Sequence, residues 1–165
     1  MTDIDVFLRD AAAMAGSTVD DVLARVLHVE DGMLAAVVAS MDEATRGLVL
    51  RLDREIRVRN PGLHYVMRGM YVGYRREEAV RSPYSPKGER SQIFLSVLKH
   101  RSQLEVVLPV NPDSIGSMAN AHDLRGKGHH GVGDVQISLR DERDLDRFLT
   151  NFGYWLTPRA SAPTD

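Results

Sequence analysis

Between His122 and Asp134 the chain places three histidines and two aspartates within thirteen residues: His122, Asp123, His129, His130 and Asp134. Imidazole nitrogens and carboxylate oxygens are ligands for zinc and related ions. His122, His129 and Asp134 are therefore candidates for a metal site and for a metal-dependent enzyme built on it. Two features weigh against that chemistry. Adjacent residues on an extended backbone point to opposite faces, so His129 and His130 do not converge on one ion. The i, i+4 spacing that aligns two ligands on a helix is also missing. The same stretch, GKGHHGVGDV from 126 to 135, contains G-x-G-x-x-G. In a dinucleotide site such glycines follow a strand and open a helix, whose N-terminus meets the pyrophosphate. Here a loop precedes and a strand follows, which is the wrong order for a nucleotide. What the glycines do allow is tight turning and close backbone approach. The stretch reads as a turn into a strand, with Lys127 and His129 presented to solvent or to a ligand.

A second concentration of chemistry is electrostatic. Residues 1–43 hold two arginines against nine acids, a net of −7. Residues 44–101 hold thirteen lysines and arginines against five acids, a net of +8. Residues 102–165 hold six against nine, a net of −3. Arg51, Arg54, Arg57 and Arg59 crowd the end of an expected helix, where the dipole favours cations. Beyond them lie Arg68, Arg75, Arg76, Arg81, Lys87, Arg90, Lys99 and Arg101, interleaved with Tyr65, Tyr71, Tyr74 and Tyr84. Cations neutralise phosphates, and aromatics stack on unpaired bases. This pattern marks Arg68, Arg75, Arg76, Lys87, Arg90, Lys127 and His129 as nucleic-acid contacts, with Tyr71 and Tyr74 as stacking surfaces. Glu77, Glu78 and Glu89 interrupt the run, and a solvated face paired with the acidic N-terminal segment is the competing reading.

Nucleophilic catalysis finds no support. There is no G-x-S-x-G, no H-E-x-x-H and no P-loop lysine. The chain has no Cys, which excludes disulfides, thiolate metal sites and cysteine nucleophiles. No cofactor is expected. The opening MTDIDVFLRD carries three acids before any basic leader could form, and the longest apolar run, MLAAVVASM, is about half a membrane span. The expectation is a cytoplasmic protein without a membrane anchor. Its 165 residues, 43% hydrophobic and 27% charged, suit one globular domain, or one domain with an appendage.

The elements that must position these groups follow from period and punctuation. Residues 2–16 and 17–32 read as two helices, the second ended by Asp31-Gly32. MLAAVVAS is too short to classify. Ser40 and Glu43 have the spacing of a capping box for a helix carrying Leu48, Leu52 and Ile56 and ending before Asn60-Pro61-Gly62. A strand is expected near 70–76. A hairpin follows, with Ile93, Leu95 and Val97 on one face of its first strand, Leu104, Val106 and Leu108 on the second, and His100-Arg101-Ser102 between. Residues 111–133 read as a long loop, which in a small domain is functional or ordered by its own contacts. DVQISLR is a strand, and a helix opens at Asp141 and stops at Gly153. Helices come in one run and strands in another. The fold class is thus α+β: N-terminal helices, then a small antiparallel sheet of about four strands with a C-terminal helix packed on it.

MRGMYVGYR, IFLSVLKHRSQLEVVLPV and GKGHHGVGDVQISLRDERDLDRFLTNFGYWL together resemble a bacterial domain family of unknown function labelled "predicted transport protein". Members show a strand ending in a tyrosine and a basic residue, a hairpin, and a closing G-x-G-H-W-G-x-G-D-V strand with a helix after it. The resemblance spans roughly residues 41–156. Tyr74, Lys127, Gly128, His129, Gly131, Gly133 and Asp134 fall on its motif, and His130 stands where the family has Trp. It implies a small α+β domain found alone or beside DNA-associated domains. The expected organisation is a helical extension over 1–40 that serves homo-oligomerisation, a domain over 41–156 and a tail over 157–165. The expected function is a non-enzymatic module that engages nucleic acid or another polyanion. A structural or regulatory homo-oligomeric subunit is the alternative.

Overall fold

A computed structural model of the chain describes residues 9, 13, 31–78, 80, 84, 92–116, 118 and 120–158. Apart from Arg9 and Ala13, the helices expected over 2–16 and 17–30 lie outside the described residues, as do the contacts assigned to Lys87 and Arg90 and the tail from 159 onward. The chain divides into two compact units, Met1–Ser40 and Met41–Asp165.

In the first unit, helix α1 spans Asp31–Val38. Asp31 and Gly32 therefore lie within a helix, not at the stop expected of them. The Ser40 hydroxyl donates to the Val37 carbonyl at 2.7 Å and so closes this helix. That corrects the capping box. In the second unit, helix α2 spans Glu43–Arg59, and its N-cap is Asp42, whose carboxylate accepts from the Thr45 amide at 2.8 Å. A carboxylate at the N-cap satisfies an orphan amide and meets the positive end of the dipole. The helix buries Leu48, Val49, Leu52 and Ile56 at helical spacing. It ends where Pro61 follows, since the residue before a proline is pushed out of the helical region. Asn60 holds that end: its buried amide donates to the Ile56 carbonyl and to the Leu156 carbonyl, both at 2.7 Å.

Six strands follow: β1 (His64–Met67), β2 (Tyr71–Arg75), β3 (Ile93–Leu98), β4 (Leu104–Leu108), β5 (Ala121–Asp123) and β6 (Val135–Leu139). They form one sheet in the order β1-β2-β3-β4-β6-β5, every neighbouring pair antiparallel. The expected count of about four is corrected by the two edge strands. Helix α3 spans Glu142–Leu156, with the Asp141 carboxylate accepting from the Asp144 amide at its start.

Register sorts the side chains onto two faces. Val72, Leu95, Val97, Leu104, Val106, Leu108, Val135, Ile137 and Leu139 share the face on which α2 and α3 pack. Leu145, Phe148, Phe152 and Leu156 of α3 fill it, with the two phenyl rings stacked at 5.3 Å. The second face is covered as well: Tyr71, Ile93, Leu98 and Val107 cluster there with Leu124 and Val132 from the loop that returns to β6. Every residue of β3 and β4 is consequently buried. The one-sided alternation expected of this hairpin gives way to burial on both sides.

Two local features tie sheet to helices. Pairing slips between Tyr74 and Arg75, leaving Phe94 as the extra residue of a β-bulge. Its carbonyl accepts from the Trp155 indole at 2.7 Å, and its ring lies 3.8 Å beneath the Arg76 guanidinium. These anchors carry α3 through Gly153, the expected stop, to Leu156.

Candidate functional site

The Gly/His stretch is a cover for the second face of the sheet. Gly133 has φ +124°, and a Cβ there would collide with the Leu108 carbonyl and the Pro109 nitrogen. Gly131 has φ +92° and lies so close to the sheet that a Cβ would sit 3.0 Å from that of Val107. Between them the Val132 amide donates to the buried Ser96 hydroxyl at 3.0 Å. The glycines thus let the backbone lie down on β3 and β4. Lys127 and His129 are exposed, as expected, but their polar atoms are engaged by the loop. The Lys127 ammonium donates to the Asp123 carbonyl at 3.0 Å. The two ring nitrogens of His129 face the carbonyls of Lys127 and Gly133 at 2.9 and 2.7 Å. His130 is exposed.

The metal reading is corrected by the same geometry. With both ring nitrogens turned to carbonyls, His129 has none directed toward His122 or Asp134. Among the described residues no group of three or more His, Asp or Glu side chains is placed to hold an ion. The remainder of the loop is ordered by its own contacts. A turn at Pro112–Ser114 is capped by Asn111, and the Arg125 guanidinium bridges Asp113 at 2.7 Å and Asp123 at 2.6 Å. Hydrogen bonds from Arg125 hold both carboxylates below the usual range.

The basic segment is taken apart by the fold. Tyr74 is fully buried and Tyr71 is 7% exposed, so neither can stack on a base; both are core residues. Arg76 is an internal brace: it donates to the Asn60 side chain and to the Trp155 carbonyl, each at 2.8 Å, and lies on Phe94. Burial lowers it to about 10, which leaves it charged at neutral pH. Arg51 pairs with Glu142 and Asp146 across α2 and α3, and Arg59 pairs with Glu55 at 2.7 Å. Arg75 is half-buried beside its register partner His64.

Arg57 belongs to a polar cluster between α2 and the first hairpin. Asp53, 7% exposed, accepts from the Tyr65 hydroxyl at 2.6 Å and from Arg57 Nε at 2.8 Å. The Tyr65 and Tyr74 rings meet edge to face at 5.3 Å. Burial pushes the Asp53 carboxyl up to about 6, against the opposing pull of the tyrosine hydroxyls. Burial, reinforced by Asp53, holds both tyrosines above their ordinary range.

Among the described residues, three further cations gather at one end of the sheet. The β1–β2 turn (68–70) and the β3–β4 turn (99–103) lie side by side because β2 pairs with β3, and the Lys99 amide donates to the Met70 carbonyl at 3.0 Å. Arg68 and Arg101 are exposed there, Lys99 is half-buried, and Met70 is 49% exposed between them. Among the described residues none of these three cations forms an ion pair; Arg101 reaches the Asp42 carboxylate only through space. Of this group sequence reasoning singled out Arg68 alone. The signal for the other two was the hairpin itself, whose turn at 100–102 puts its flanking cations at a tip.

Comparison with protein-family models, with curated proteins and with solved structures returned no match to this chain.

Proposed function

We propose that the chain is a non-enzymatic, cytoplasmic binding module that engages a phosphate-rich polyanion, nucleic acid foremost, through the paired turns at the cationic end of the sheet. The observation that carries this reading is the Lys99 to Met70 backbone bond, which draws the turns bearing Arg68, Lys99 and Arg101 together, none of the three forming an ion pair among the described residues. The wider basic face read from the sequence is withdrawn in favour of this smaller one. No helix among the described residues is long and apolar enough to cross a membrane. The likeness to the "predicted transport protein" family, and oligomerisation through residues 1–40, stand as parts of the same proposal.

Fluorescence anisotropy with a labelled duplex of about 20 base pairs tests the reading. Each phosphate neutralised by a cation adds about −0.9 to the slope of log K against log salt. Replacing both Arg68 and Arg101 by Glu should weaken binding by tenfold or more and flatten that slope by roughly 2. Arg54→Glu, an exposed arginine on α2, serves as the control and should change affinity by less than about twofold. Equal losses in the two variants, or affinity indifferent to salt, would remove the proposal.

A further inference from the structure

Beneath the cationic tip lies a buried acid. Glu105, on β4, is 6% exposed and faces the second side of the sheet opposite its register partner Ser138. Its carboxylate accepts from Gln103 Nε2 at 2.7 Å and meets His100 Nε2 at 2.8 Å, with the Ser138 hydroxyl at 3.4 Å. His100 stands in the β3–β4 turn between Lys99 and Arg101, its side chain 47% exposed.

An ionised carboxylate only accepts hydrogen bonds. Against an ionised Glu105, the 2.8 Å contact requires a proton on Nε2 of His100 whatever the charge of the ring, and Nδ1 is then the nitrogen that gains or loses one. With the ring neutral, Nδ1 is a bare acceptor that repels a phosphate oxygen, and the Glu105 charge beneath the turn is uncompensated. With the ring protonated, Nδ1–H is a charge-assisted donor and the pair is neutral as a whole. One proton thus changes both the sign of the hydrogen bond offered and the charge of the tip.

We propose that His100 is a protonation-gated phosphate ligand of the cationic end, with Glu105 as the residue that positions its ring. This inference rests on the polyanion reading above and names the regulation of that same site. Of the charged groups at this end of the sheet, Glu105 from β4 meets His100 directly, Lys99 and Arg101 flank it along its own turn, and Arg68 belongs to the neighbouring turn. Asp42 stands at the start of α2, where its amide donates to the Arg101 carbonyl at 2.8 Å. Arg140, Asp141 and Asp144 lie where β6 leaves the sheet opposite Leu104, and there Arg140 is held by Asp144 at 2.8 Å. His100 is the imidazole of this set, and imidazole is the side chain type whose charge can change within the physiological pH range.

The test measures anisotropy of the same labelled duplex against the full chain at about pH 5.5 and about pH 8, at fixed low salt. A charged hydrogen bond to phosphate gives an expected gain of about tenfold in affinity at the lower pH. His100→Gln should bind at the weaker level at both pH values. His100→Lys, which keeps a cation over Glu105, should bind at the stronger level at both, and circular dichroism at each pH establishes that both variants are folded. A pH response unchanged in His100→Gln overturns the role of His100. Salt-sensitive binding with no pH response in the native chain also overturns it while leaving the polyanion reading intact. Absence of binding at either pH in low salt overturns the reading on which it rests.

Discussion

Asp53 shows how one buried carboxyl is set by the groups around it. It faces a hydroxyl at 2.6 Å and a guanidinium nitrogen at 2.8 Å, which favour its charge, yet loss of water dominates and raises it from 3.8 to about 6. A group whose value is higher folded than unfolded favours folding in its protonated form. Its contribution is whole below about pH 3.8 and is lost as pH rises through about 6. Two pH units are worth about 3 kcal/mol, an upper figure here because Arg57 opposes the shift. Asp113, Asp123 and Asp144 act in the opposite sense, since hydrogen bonds from arginines hold them below the usual range. The informative quantity is therefore a difference. Urea denaturation of the native chain and of Asp53→Asn should show native stability falling relative to the variant between about pH 4 and 6.5. Curves that run parallel across that window would mean that the ion pair with Arg57 outweighs desolvation.

At the scale of elements, Gly153 separates two accounts of α3. A helix stop would place it in a left-handed conformation that strongly favours glycine over alanine. In the structure the helix continues past it to Leu156, and a Cβ at this position meets nothing within 4 Å. Gly153→Ala should accordingly stabilise the chain by about 0.5–1 kcal/mol through helix propensity, read as a shift in urea midpoint at unchanged slope. A loss of stability would return the stop to Gly153. The misreading has a physical source: what carries the helix onward is the Trp155 bond to Phe94 and the Leu156 carbonyl on Asn60, both contacts with distant segments. The same distinction governs the other elements. The hairpin, β2, β6, the end of α2 and the start of α3 were legible because local period and punctuation decide them. β1 and β5 were not, since edge strands of four and three residues with half-exposed side chains carry no alternation. The cap of α2 was displaced by two residues because Ser40 and Asp42 are both good caps, and only the closing of α1 assigns one to each. Tyr71 and Tyr74, interleaved with arginines, looked like a surface pattern. A sheet covered on both sides puts one of them in each core.

For the molecule as a whole, the second unit contains everything that its sheet needs. α2 and α3 cover one face and the 124–133 loop covers the other, all from residues beyond Met41. Arg68, Lys99, His100, Arg101 and Glu105 also lie within it. A fragment of residues 41–165 should therefore fold alone and unfold in one cooperative urea transition, as single domains of about this length do. It should also keep the polyanion affinity of the full chain to within about threefold, because every residue of the proposed tip lies within the fragment. Sizing beside the full chain reads the role of the first unit. A smaller assembly for the fragment places the oligomer contact within residues 1–40, and an unchanged one removes that contact. Affinity has the sharper consequence. A fragment that folds cooperatively but no longer binds would show that the hairpin tip is insufficient by itself, and that binding requires residues 1–40 as well.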